Sequence, residues 1–147
     1  LEVNKNKLRK LVSDLTGALR ELEDLKNRQA AEFLGNSHLV SSAKYNLLIA
    51  IEAAIDLCNH IISRRRYRSP EDYADTFKVM GEVGAFPEEF LKNLMDMARF
   101  RNRLVHLYWT VDKNEIYKIL QNNLSDFERF LHYLGKFIGE EIGLEVE

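Results

Sequence analysis

Arg101 and His106 stand five residues apart, with Asn102 beside the arginine and Tyr108 two residues past the histidine. Imidazole, with an unperturbed pKa near 6.5, suits proton transfer near neutral pH. Guanidinium carries a permanent charge on a planar fork that matches phosphate oxygens. The group types therefore suit chemistry at a phosphate. The surrounding pattern makes them conspicuous. One apolar stripe runs Phe90, Leu94, Met97, Leu104 and Tyr108, and its missing member is Arg101. A neighbouring stripe runs Leu91, Met95, Ala98, Val105 and Trp109, and its missing member is Asn102. An arginine and an amide thus occupy positions where a helix of this period asks for core. Burying a charge without a partner is costly, so Arg101 needs an acid, a cleft or an interface. His106 is about 140° from Arg101 on an ideal helix, but the long arginine and the nearby helix end allow both to reach one point.

A second polar stripe, Glu52, Asp56, Asn59 and His60, offers complementary groups. Asp56 lies between Ile55 and Leu57 and is the expected partner of Arg101. A pair that only fixes helix register is the competing reading. Seven of the eleven arginines fall within residues 64–68 and 99–103. If those helix ends meet, Arg64, Arg65, Arg99 and Arg103 form a basic patch suited to phosphate. The alternative is cationic helix ends complementing their dipoles.

The elements that must position these groups are helical almost throughout. The chain has 147 residues, 46% hydrophobic and 30% charged, with only 7 Gly and 2 Pro. So few turn formers disfavour an all-β sandwich or barrel. The net charge of −2 excludes a strongly basic nucleic-acid binder but not a local patch. Helical periodicity predicts a first helix over about 4–33 and a second over about 38–66. A short third is expected from Ser69-Pro70 to about 81–84, with Ser69 as cap and Pro70 at the first helical position. A fourth runs from Pro87 to about Tyr108. A fifth opens at Asp112, whose spacing to Glu115 resembles a capping box, and continues to Ile138. The expected architecture is all-α: an up-and-down bundle of four long helices and one short one, forming a single domain over 1–147.

Asp56 and His60 could supply half a metal site, but no second half is evident, so no metal is expected. His38 and His132 read as solvated, and Trp109 as core or dimer packing. Ser41, Ser42 and Cys58 have no nucleophilic constellation, and no phosphate-binding glycine loop occurs. The single cysteine fits a reducing compartment. No apolar run approaching the roughly 20 residues of a membrane span is seen, and the polar, basic first ten residues predict no signal peptide. A cytoplasmic protein is expected.

The segment Arg101-Asn102-Arg103-Leu104-Val105-His106-Leu107-Tyr108 resembles the R-x4-H-x-Y motif of HEPN-domain proteins, specifically the HepT-like toxin family. The resemblance extends to length, bundle architecture, Asp56 with Asn59-His60 on the second helix, and the motif's place late in the fourth. It implies a HEPN-like bundle acting as a homodimer, a metal-independent endoribonuclease with no cofactor. Arg101 and His106 would be catalytic, with Asn102 and Asp56 in support. It further implies a cognate MntA-like nucleotidyltransferase antitoxin that adenylylates the motif tyrosine, here Tyr108. Leu107 stands where family members often carry glycine. The residue chemistry agrees with this reading. One His and one Arg form a thin set for two proton transfers, and a symmetric dimer doubles it. The expected product is a 2′,3′-cyclic phosphate. The alternative is a non-catalytic HEPN-like bundle that binds a nucleotidyltransferase or a nucleotide.

Overall fold

A computed structural model describes residues 3–139; the ends of the expected 1–147 domain lie outside the described residues. Among those residues it holds seven α-helices, one 3₁₀ turn and no strand. They are α1 (Lys5–Lys26), α2 (Ala30–Leu34), α3 (Ser37–Arg65), α4 (Tyr73–Glu82), α5 (Glu88–His106), α6 (Lys113–Asn122) and α7 (Ser125–Ile138), with the 3₁₀ turn Tyr108–Thr110 between α5 and α6.

The central element is α3, which packs against α1, α2, α4, α5 and α6. Its length and apolar stretch would suffice to cross a membrane, contrary to the expectation from sequence. More than half of that stretch is instead buried inside the bundle. The most extensive pairing sets α1 on α3, through the stripe Leu8, Val12, Leu15, Leu19, Leu22 and Leu25. The two run antiparallel, since the amide of Asn4 at the start of α1 donates to His60 Nε2 near the end of α3. The α5 helix also runs antiparallel to α3. Arg101 meets Glu52, and Tyr108, just past α5, lies against Lys44 near the start of α3.

Three helix boundaries differ from the sequence reading. The expected first helix breaks after Lys26, and the amide of Gln121 donates to the Lys26 carbonyl left open there. The break lets α2 turn Phe33 fully into the core, its ring centroid 6.0 Å from that of Tyr117. The expected fifth helix breaks at Asn123–Leu124 into α6 and α7. There the part-buried Asp126 carboxylate accepts from Asn93 and Asn123, and burial holds its pKa above the ordinary value. The α4 helix starts at Tyr73, three residues later than expected, because Asp72 rather than Ser69 caps it, accepting from the Asp75 amide. Asp112 caps α6 as expected, accepting from the Glu115 amide at 2.9 Å. The reciprocal half of a capping box is not made, since the Glu115 carboxylate goes to Arg103.

An aromatic cluster closes the bundle on the α7 side. Phe130 lies edge-on to Phe77 of α4 at 6.1 Å and stacks on Phe86 at 5.5 Å. Phe90 of α5 meets Tyr133 of α7 at 5.3 Å. Gly84, at φ 91°, takes a left-handed conformation that only glycine adopts without cost, and so permits the tight turn from α4 into α5. Since Phe130 is fully buried, Phe130→Ala is expected to lose about 3–5 kcal/mol. The chemical-denaturation midpoint measures this; a loss below about 1 kcal/mol would mean the cluster does not hold α7.

Candidate functional site

Arg101 projects from α5 toward α3 and α4. Its Nε and Nη2 both donate to Glu52 Oε2, at 3.1 and 2.7 Å. Its Nη1 donates to Asn102 Oδ1 at 3.2 Å. The guanidinium carbon lies 4.6 Å from the centroid of the Tyr73 ring. The side chain is 13% exposed, and groups on three helices hold it. These bonds commit three of the five N–H groups and leave two uncommitted.

The expected partner of Arg101 was Asp56, and this is corrected: none of its hydrogen bonds reaches Asp56. The antiparallel register sets Arg101 level with Glu52, one turn earlier on α3. Asp56 reaches the surface, but the protein around its base partly desolvates the carboxyl, and this first, then the neighbouring Glu52 charge, raises its pKa. Lys7 and Arg101 pull it down by less.

Arg101, Asn102 and His106 line one cleft of about 690 Å³ together with Asn59, Pro70, Glu71, Asp72, Tyr73 and Thr76. The wall facing α5 is the segment that joins α3 to α4. Arg66 ends α3 at φ 57°, and the Tyr67 amide returns to the Ile62 carbonyl at 3.0 Å, an αL closure that turns the chain sharply. Arg68 then forks onto both Asp75 and Glu82. Asp75 also accepts from the Glu71 amide at 2.9 Å. The Arg68 bonds and that amide hold the Asp75 carboxyl down to about 2. On the other side of the cleft floor, Thr76 Oγ1 donates to Asn59 Oδ1 at 3.2 Å.

His106 is the last residue of α5 and is exposed. Tyr108 lies in the 3₁₀ turn, outside the cleft lining and 47% exposed. Lys44 Nζ sits 4.1 Å from its ring centroid. Leu107 adopts φ −132°, a conformation open to any residue, so the glycine frequent in the family is not needed here. Trp109, read as core or dimer packing, is 78% exposed, because the short turn projects it away from the bundle.

The arginines expected to form one basic patch do not gather there. Arg64 and Arg65 lie at the far end of α3, about 30 Å along the helix from Lys44. The Arg65 guanidinium lies over the Phe137 ring at 5.3 Å. Arg99 pairs with Asp96. Arg103 binds Glu115 through both Nη atoms and the Thr110 carbonyl through Nη2, and so clamps the turn carrying Tyr108 to α6. Arg99 and Arg103 line a separate cavity of about 350 Å³.

The remaining candidates are placed simply. His60 faces the start of α1 rather than the cleft, and burial with the Lys7 and Arg64 charges lowers its pKa. Cys58 is fully buried and its thiol pKa is raised. Among the described residues, no three His, Cys, Asp or Glu side chains gather as a metal-binding group. Reading the sequence missed Tyr73, Glu71 and the Arg68 network. Their only signal was the acidic run around Tyr73, which also reads as an ordinary helix start.

The comparisons with known proteins converge. A family model described as Ribonuclease HepT-like matches residues 15–134. The chain is 29% identical over 101 residues to the mRNA nuclease HepT of Shewanella oneidensis, spanning 69% of this chain and 76% of that protein. It is 22% identical over 120 residues to the tRNA nuclease HepT of Aphanizomenon flos-aquae, 82% of each. Its fold is similar to that of a tri-AMPylated Shewanella oneidensis HEPN toxin solved in complex with an MNT antitoxin. The TM-score is 0.82 and the identity 22%, over 90% of this chain and 99% of that one.

The cleft wall carries a pH prediction. The folded pKa of Asp75 lies below its ordinary 3.8, so its contribution to stability is complete above about pH 4 and is lost as pH falls toward 2. Carbon-13 NMR titration of Asp75 is expected to give a midpoint near 2, with the Glu71 amide losing protection over the same range. A midpoint near 3.8 would show that Arg68 does not hold the wall.

Proposed function

The chain belongs to the HepT-like ribonuclease family, and from that premise we propose that it is an RNA-cleaving toxin: a metal-independent endoribonuclease acting as a homodimer in the cytoplasm. The observation that carries this reading is the shared cleft, in which Arg101 keeps two N–H groups uncommitted beside Asn102 and His106. Those two donors suit the non-bridging oxygens of a phosphodiester, where negative charge grows in the transition state. His106, exposed at the helix end, is free to take the proton of the ribose 2′-hydroxyl. The 2′-oxygen then bonds to phosphorus, the bond to the 5′-oxygen breaks, and the leaving oxygen takes a proton. The products are a 2′,3′-cyclic phosphate and a 5′-hydroxyl. One imidazole serves one transfer at a time, so a second copy's His106 supplies the other. Asn102 fixes the direction of the Arg101 fork. Asp56 supports the site only through its charge, since Glu52 holds the guanidinium. Arg64, Arg65, Arg99 and Arg103 are left to contacts outside the cleft.

Control falls to Tyr108. It stands exposed on a turn clamped by Arg103, where a partner enzyme can reach it. A cognate MntA-like nucleotidyltransferase antitoxin adenylylates its hydroxyl and silences the nuclease. The AMPylated, antitoxin-bound state named for the solved Shewanella toxin supports this part of the reading.

The test is cleavage of total cellular RNA in EDTA, with product ends identified. The unmodified chain is expected to cut and leave cyclic phosphate ends, and His106→Ala to lose activity by roughly 100-fold or more, the scale of general acid–base catalysis. A folded, unmodified protein that cuts no RNA would shift the reading to a non-catalytic partner of a nucleotidyltransferase. In a second assay with the cognate nucleotidyltransferase and ATP, Tyr108→Phe is expected to keep cutting while the wild type is silenced. Equal silencing of both would place the modification elsewhere.

A further inference from the structure

The wall opposite α5 has no task in the chemistry above, yet it is the most firmly built part of the cleft. Tyr73 gives one face of its ring to the Arg101 guanidinium and remains 39% exposed. Asp72 spends Oδ1 on capping α4, accepting from the Asp75 amide at 2.7 Å, which leaves its second oxygen. The exposed Glu71 carboxylate has no ion pair or hydrogen bond among the described residues, while its amide is pinned to Asp75. The fork of Arg68 onto Asp75 and Glu82 holds the whole segment in place.

Two carboxylates repel phosphate, so this wall does not track a nucleic-acid backbone. An aromatic ring with carboxylates on the same cleft wall has the chemistry to hold a nucleobase. The ring supplies a stacking face, and carboxylates accept from base amino groups. A cleft of about 690 Å³ has room for a nucleotide.

We propose that Tyr73, Glu71 and Asp72 form a nucleobase subsite that stacks the base beside the scissile phosphate and selects bases presenting an amino group over uracil. This rests on the RNA-cleaving reading above. Adenine, cytosine and guanine each turn an amino donor toward a carboxylate. Uracil flanks its one N–H with two carbonyl oxygens, which meet the carboxylates acceptor to acceptor. Selection therefore arises as much from rejecting uracil as from holding the others.

The test separates binding from cleavage. Dye-labelled 2′-O-methyl tetranucleotides of adenine, cytosine or uracil have no free 2′-hydroxyl and cannot be cut by this route, so fluorescence polarisation reads binding alone. The full chain is expected to bind the adenine and cytosine oligomers roughly ten-fold more tightly than the uracil one, the scale of one base-edge contact. The double variant Glu71→Gln, Asp72→Asn is expected to bring the three within roughly two-fold. Asparagine caps a helix as well as aspartate does, so that variant keeps α4. Tyr73→Leu is expected to weaken all three by roughly ten-fold through lost stacking, and Tyr73→Phe to restore them. In parallel, sequenced ends from random RNA cut by wild type are expected to be poor in uracil beside the cut, and ends from the double variant to show no such bias. Selective binding with no cleavage upholds the subsite and removes the nuclease reading. Cleavage whose base bias is absent, or unchanged in the double variant, overturns the subsite and leaves the nuclease. Tighter uracil binding also overturns it, and neither binding nor cleavage overturns both.

Discussion

A guanidinium inside an apolar helix stripe has to be held, and the arrangement around Arg101 is organised by that requirement. Unpartnered, a charge this little exposed would be costly. Glu52 neutralises it from α3, Asn102 turns it from its own helix, and Tyr73 covers it from α4. The cleft lies where these groups meet, between α5 and the segment that joins α3 to α4. The same side chain that these contacts hold also lines that cleft. Because Glu52 is 39% exposed, water reaches the pair, and it works more through geometry than through net stability.

The cleft and the turn beyond it have different anchors. Arg101 and His106 belong to the last two turns of α5, a rigid element. Tyr108 and Trp109 belong to a short 3₁₀ turn whose anchor is Arg103, bound to Glu115 and the Thr110 carbonyl. Neighbouring arginines on one helix thus do different work because they leave it in different directions. Arg101 faces α3 and α4, and Arg103 faces α6. The turn joins the cleft helix at His106 and touches α3 through the Lys44–Tyr108 contact.

Much of this was legible in the residues. The gap in the α5 stripe marked Arg101 and Asn102 as misplaced for a core, and the structure puts both, with His106, on one cleft. Asp112 was legible as a cap because capping is a local bond. The Arg101 partner was not legible. Asp56 and Glu52 lie one turn apart on the same face of α3, and only the axial offset between two helices selects Glu52. The breaks at Asn27 and Asn123 were equally hidden. Periodicity continues across them, and distant elements supply contacts at both: Gln121 to the Lys26 carbonyl beside the first, Asn93 to Asp126 just past the second.

By itself the sequence determined the all-α class, the apolar faces and the presence of a charged, polar end on α5. These follow from the 3.6-residue period and from capping, which act within a few residues of chain. Tertiary structure decided which acid holds Arg101, that residues 70–76 form the opposite wall, and that Arg64, Arg65, Arg99 and Arg103 stay off the cleft that Arg101 lines. Those outcomes depend on the register and direction of helices far apart in the chain. Many weak packing contacts set that register together, and no local pattern encodes it.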